Sequence, residues 1–160
     1  MLLMMSGCQN QEEEPSEDDQ ETMDKKPVVS ITYDGREIET NEIRSCFEPE
    51  CSKESAEPDS IDHQEFTEGV NPTEVKDGES ITIEVDGEEP SQIYYSQYFE
   101  RGQSTIEETT LDKGNEININ GENKEDGKER YYVVLEWRND NDEFLGSLSK
   151  AFSIEIEETS

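Results

Sequence analysis

The 160-residue chain carries 43 acidic side chains against 13 basic ones, a formal net charge of -30, and only 29% of its residues are hydrophobic. So negative a surface repels nucleic-acid phosphates and anionic lipid headgroups alike, which excludes functions built on a basic face. The apolar content suits one modest core, and no transmembrane segment follows residue 8.

The chain begins Leu2-Leu3-Met4-Met5-Ser6-Gly7-Cys8. An apolar run, two small residues and then a cysteine resembles the lipobox of bacterial lipoproteins. In that family the cysteine becomes the new N-terminus, is lipidated, and holds the protein on the outside of the cytoplasmic membrane. The resemblance implies a lipid anchor on Cys8 and residues 1–7 as the remnant of a truncated signal peptide, its basic and longer apolar parts encoded upstream. One acyl chain anchors only marginally, whereas two or three anchor stably. Residues 8–27 follow as an acidic linker. Between residues 9 and 27 the only large apolar side chain is Met23, and there is no aromatic. Burial there cannot offset ordering entropy, so a disordered, self-repelling tether is expected.

From Val28 the pattern becomes short alternating runs. Val29, Ile31 and Tyr33 share one face before the Asp34-Gly35 turn. A strand is expected around Ile43. After the Lys76-Asp77-Gly78-Glu79 turn, Ile81, Ile83 and Val85 alternate with Ser80, Thr82 and Glu84, and Asp86-Gly87 closes the strand. Ile93–Phe99 reads as a strand with apolar groups on both faces. Ile117 and Ile119 form a short strand ending at Asn120-Gly121. Tyr131, Val133, Leu135 and Trp137 make the strongest alternation, and Phe152, Ile154 and Ile156 make the last strand, with the polar Asn139–Glu143 turn between the two. No window has a 3.6-residue apolar period, so helix should be scarce. Many short strands in residues 28–160 predict one all-β domain, an antiparallel immunoglobulin-like sandwich, with a barrel as the alternative. Trp137 is expected to bridge the two sheets.

The segments Ile31-Thr32-Tyr33-Asp34-Gly35, Cys46 and Cys51, Val75-Lys76-Asp77-Gly78 with Ile81-Thr82-Ile83, Tyr132-Val133-Val134-Leu135-Glu136-Trp137 and Ala151-Phe152-Ser153-Ile154-Glu155-Ile156 together resemble uncharacterised lipoproteins of Bacillus-like Gram-positive bacteria. The resemblance implies an extracytoplasmic, lipid-anchored β-sandwich and carries no catalytic residue.

With Cys8 set aside for lipid, Cys46 and Cys51 remain as a pair around Phe47-Glu48-Pro49-Glu50. Outside the membrane such a pair forms a disulfide, and its small loop places the stabilisation near the low end, roughly 2 kcal/mol. A metal site would need two further soft ligands, and His63 is the only histidine. His63 sits in a polar stretch with no nucleophile elbow or flanking catalytic signature, so it reads as a solvated loop residue. Three acidic loops carry oxygen ligands of the kind calcium takes: Asp86-Gly87-Glu88-Glu89, Asn120-Gly121-Glu122-Asn123 with Asp126, and Asn139-Asp140-Asn141-Asp142-Glu143. The last is the best of these, yet none has the order of an EF-hand loop, and in so acidic a chain such runs arise by composition, so solvated hairpin turns are the preferred reading. Tyr94, Tyr95 and Tyr98, with Phe99, are candidates for a binding patch, unless the strand packs them in the core. No cofactor is implied. The sequence therefore points to a non-catalytic binding module held at the membrane through Cys8, with an unidentified protein or envelope ligand. An envelope enzyme or accessory factor is the alternative, marked by a pocket converging on His63.

Overall fold

A computed structural model describes residues 23, 25–56, 63–99, 108–111, 114–119 and 128–157. Cys8, nearly all of the linker and the Asn120–Asp126 loop lie outside the described residues, as do the side chains of His63, Tyr98 and Phe99.

The described residues form ten strands and two single-turn helices: β1 (Val28–Tyr33), β2 (Arg36–Glu37), β3 (Asn41–Phe47), α1 (Lys53–Ala56), α2 (His63–Phe66), β4 (Thr73–Lys76), β5 (Ser80–Asp86), β6 (Gln92–Phe99), β7 (Glu108–Thr110), β8 (Glu116–Asn118), β9 (Lys128–Arg138) and β10 (Phe144–Glu157). They build two sheets, ordered β2-β1-β5-β8 and β3-β10-β9-β6-β7, with β4 also paired to β10. All pairings are antiparallel except β4 with β10, which is parallel. The neighbours β1-β5-β8 and β10-β9-β6 reproduce the A-B-E and G-F-C relations of an immunoglobulin-type sandwich.

Period-two alternation explains the core. Val29 and Ile31 of β1, Ile81 and Ile83 of β5, Ile117 of β8, and Tyr131, Val133, Leu135 and Trp137 of β9 all turn into one cluster between the sheets. Tyr131 stacks on Phe152 with centroids 5.2 Å apart and an interplanar angle of 9°. Trp137 is 1% exposed. Its ring contacts Phe47 at 5.7 Å, and its Nε1 donates 2.8 Å to the carbonyl of Glu88 in the β5–β6 connection. The indole thus ties the second sheet to a loop leaving the first, as a bridging ring should.

The second sheet is buried on its outer face as well. Tyr132, Val134 and Ala151 form a separate cluster with Ile43, Phe66 and Tyr94. Residues 63–72 run along this face as a strap. Phe66 stacks on Tyr132 at 5.2 Å, and Asn41 Nδ2 donates to the carbonyls of Phe66 and Glu68, both at 3.0 Å. The strap explains why Tyr131-Tyr132-Val133-Val134-Leu135 is apolar at every position rather than at alternate ones. Thr73–Lys76, expected only to lead into a turn, pairs with the end of β10 and buries Val75 completely. β10 is longer than its apolar C-terminal half predicted, because Phe144–Lys150 completes the hairpin with β9 and pairs with β3.

Packing begins upstream of Val28. Met23 lies partly buried against the core, Pro27 is buried, and Lys26 Nζ sits 5.5 Å from the Phe47 ring centroid. Met23 and Pro27 thus pack against the domain although they fall within residues 8–27, the expected linker.

Candidate binding cleft

Four distant segments meet along the first sheet. Register places Val28 opposite Asp86 and Ser30 opposite Glu84, while Thr32 faces both Thr82 and Glu37. Thr82 also faces Glu116 of β8. Directly opposed residues share a face, so Glu37, Thr32, Thr82 and Glu116 form one row across the outside of the first sheet, with Glu84 and Asp86 further along β5. The β5–β6 connection adds Glu89 and Pro90. Its Gly87 takes φ +124° and packs against Pro27, a conformation that suits glycine and brings the turn close to the start of β1. These elements bound an open cleft of about 1290 Å³, whose walls also include Val29, Ile83, Ile93 and Leu111.

The cleft is strongly acidic. Glu37, Glu84, Asp86, Glu89 and Glu116 line it, and Lys150 is its one basic residue among the described residues. None of these five carboxylates makes an ion pair or side-chain hydrogen bond among the described residues. Alternation in β5 showed Glu84 and Asp86 as outward polar positions, but nothing local to β5 revealed that Glu37 and Glu116 would join them from other strands.

The residues singled out by sequence distribute differently. Cys46 and Cys51 are joined as a disulfide, their Cα atoms 5.1 Å apart. Tyr94 and Tyr95 point to opposite faces of β6. Tyr94 packs on the outer cluster under the strap, and Tyr95 packs on the core 6.0 Å from Tyr131. Adjacent residues of a strand alternate between faces, so Tyr94 and Tyr95 do not share a surface, while the side chain of Tyr98, the third member of the expected patch, lies outside the described residues. His63 opens α2 in the strap, away from the cleft.

The Asn139–Glu143 turn directs its oxygens inward. Asn139 Oδ1 accepts the backbone N–H groups of Asn141 and Glu143, both at 2.9 Å, and Asn139 Nδ2 donates 2.7 Å to Glu143 Oε2. Arg138 reaches Asp142 as well, its Nη1 3.1 Å from the carbonyl oxygen and 3.5 Å from Oδ1. These are the bonds of a hydrogen-bonded hairpin turn. Among the described residues no three His, Cys, Asp or Glu side chains converge as metal ligands.

At another point between the sheets lies a buried acid. Glu129 is 2% exposed and accepts the Tyr131 hydroxyl at 2.7 Å. Burial raises its pKa above the ordinary carboxylate range and Asp77 adds to the rise, while hydrogen bonds from Tyr131 and Gln97 oppose it. Burial also raises the Tyr131 hydroxyl, with Glu129 adding to that shift. Because the folded-state pKa of Glu129 is raised, folding favours its protonated form. Its contribution to stability is therefore fully present below the unfolded value of about 4.3 and is lost as pH rises through the folded value. Glu129→Gln keeps the hydrogen-bonding shape without the charge. It should stabilise the domain at pH 7 by about 1 kcal/mol, a gain that vanishes towards pH 4. Thermal melts of both proteins across this range check the expectation, and parallel pH profiles would show that another group titrates.

No known protein family, curated protein or solved structure matches the chain. What the described geometry offers is an immunoglobulin-type sandwich with a wide acidic cleft along the first sheet.

Proposed function

We propose that the protein is a cell-surface lipoprotein, a non-catalytic binding module tethered through Cys8 to the outer face of the cytoplasmic membrane. The observation that carries the binding role is the open cleft of about 1290 Å³, lined by five carboxylates that make no ion pair among the described residues. The lipobox-like run ending at Cys8 supports the anchor, and the acidic residues 9–22 suit a spacer that anionic headgroups repel. Val28 lines the cleft and immediately follows the linker, so the tether joins the domain beside the cleft.

The anchor has a direct test. Expressed from its native locus, the wild-type protein should partition into the detergent phase and yield an N-terminal peptide bearing lipid on Cys8 by mass spectrometry. Cys8→Ala should leave the protein in the aqueous phase. A wild-type protein that stays soluble with an unmodified Cys8 overturns the anchored reading.

A further inference from the structure

We propose that the acidic cleft docks an extended basic segment of a partner polypeptide, with Lys or Arg side chains alternating with apolar ones. The inference rests on the binding-module reading and adds to it the chemistry of the partner.

The size of the cleft argues against a small molecule. Pockets for such ligands run from roughly 300 to 1,000 Å³ and enclose most of the ligand surface. This cleft is larger and open along its length. Its charge excludes nucleic acid and selects a cation. Arg138 neutralises Glu136 at 2.5 Å on the second sheet. In the cleft Glu37, Glu84, Asp86, Glu89 and Glu116 have no such partner among the described residues.

The arrangement of the acids fits an extended chain. Glu84 and Asp86 are two residues apart on β5, a spacing of about 6.6 Å, which is also the repeat of same-side residues in an extended peptide. Beside Asp86 in the register stands Val28, 61% exposed and the only large exposed hydrophobic among the described residues. Leu111 and Pro90 add apolar surface to the walls. A partner carrying charge alone would leave this surface wet, whereas alternating apolar side chains would cover it. The flank of β1 is also open there. β2 pairs only with Thr32 and Tyr33, and no described strand lies beside Val28–Ser30 on that side.

The test uses the full chain and three synthetic peptides of about eight residues, roughly 26 Å when extended. One alternates Lys and Val, one places the same residues in two blocks, and one alternates Glu and Val. Calorimetry should show saturable binding of the alternating Lys peptide, weaker binding of the blocked peptide and none of the acidic one. Backbone amide shifts should change around Val28, Ser30, Glu84, Asp86 and Glu116. The triple variant Glu84→Gln, Asp86→Asn, Glu116→Gln should weaken binding by about tenfold or more at low salt. A remote triple of equal charge change, Glu50→Gln, Glu68→Gln, Glu74→Gln, should bind as wild type. Melting curves establish that both triples are folded. Equal weakening by the two triples, equal affinity for the alternating and blocked peptides, or shifts centred outside the cleft would each overturn the proposal. None of these readouts needs lipid, so they stand apart from the Cys8 experiment. Failure here with Cys8 lipidated would reject the basic partner and leave the anchored module intact.

Discussion

Trp137→Ala should destabilise the domain by about 3–5 kcal/mol, the usual cost of truncating a buried tryptophan and leaving its volume incompletely refilled. Several losses coincide at this position. The ring is 1% exposed, contacts Phe47 at 5.7 Å, and satisfies the Glu88 carbonyl through Nε1 at 2.8 Å. Single domains are stable by only about 5–15 kcal/mol, so the variant should unfold at a far lower urea concentration. Trp137→Phe separates the contributions. It keeps most of the packing but removes the N–H, so the Glu88 carbonyl must find water, and the penalty should fall to about 1–3 kcal/mol. Because Glu88 lies next to Glu89 in the β5–β6 connection, both variants should also alter amide shifts along the cleft. A loss below about 1 kcal/mol for the alanine variant would show that the indole is not a structural bridge.

Gly146→Ala should cost about 1–3 kcal/mol, the usual range for overpacking, although it adds a single methyl group. Gly146 pairs with Phe47 on β3 and Trp137 on β9, at an irregularity in the β9–β10 register. A Cβ built there falls within the Phe47 ring. That ring is held between Trp137 on one side and Lys26 on another, so it cannot shift without giving up those contacts. The decisive measurement is a double-mutant cycle. Phe47→Ala removes the obstruction, so the penalty of Gly146→Ala should largely disappear in that background. Additive effects of the two substitutions would mean that the glycine is needed for its backbone and not for its lack of a side chain.

These two sites show how unevenly the molecule can be read in advance. Trp137 is visible in the sequence: it ends the longest alternating run, and a large ring at an inward position of a central strand has few places to go. Gly146 is not visible, because what it avoids is a ring about a hundred residues earlier in the chain. Tyr94 and Tyr95 lie between these cases. Their assignment to one strand is legible, yet the hope of a shared patch conflicts with the same alternation that identifies the strand. What hid the conflict is the strap, which makes the outer face of β6, β9 and β10 apolar and so blurs the period-two signal.

The sequence by itself determined the all-β class, the main inward residues, the turn positions and the cysteine pairing. Each depends on short-range rules: alternation along a strand, turn chemistry at Asp34-Gly35 and Asp86-Gly87, and an even count of nearby cysteines. It also holds the one pointer to location, the lipobox-like approach to Cys8. Tertiary structure alone decided what lies beside what. It brought Glu37, Glu84, Asp86 and Glu116 from three strands onto one face, buried Glu129 against Tyr131, and covered part of the outer sheet with Phe66 and its neighbours in residues 63–72. The physical reason is that register and sheet order are settled by packing between segments far apart in the chain. In so acidic a protein, only that packing distinguishes the carboxylates gathered at a cleft from those that merely face water.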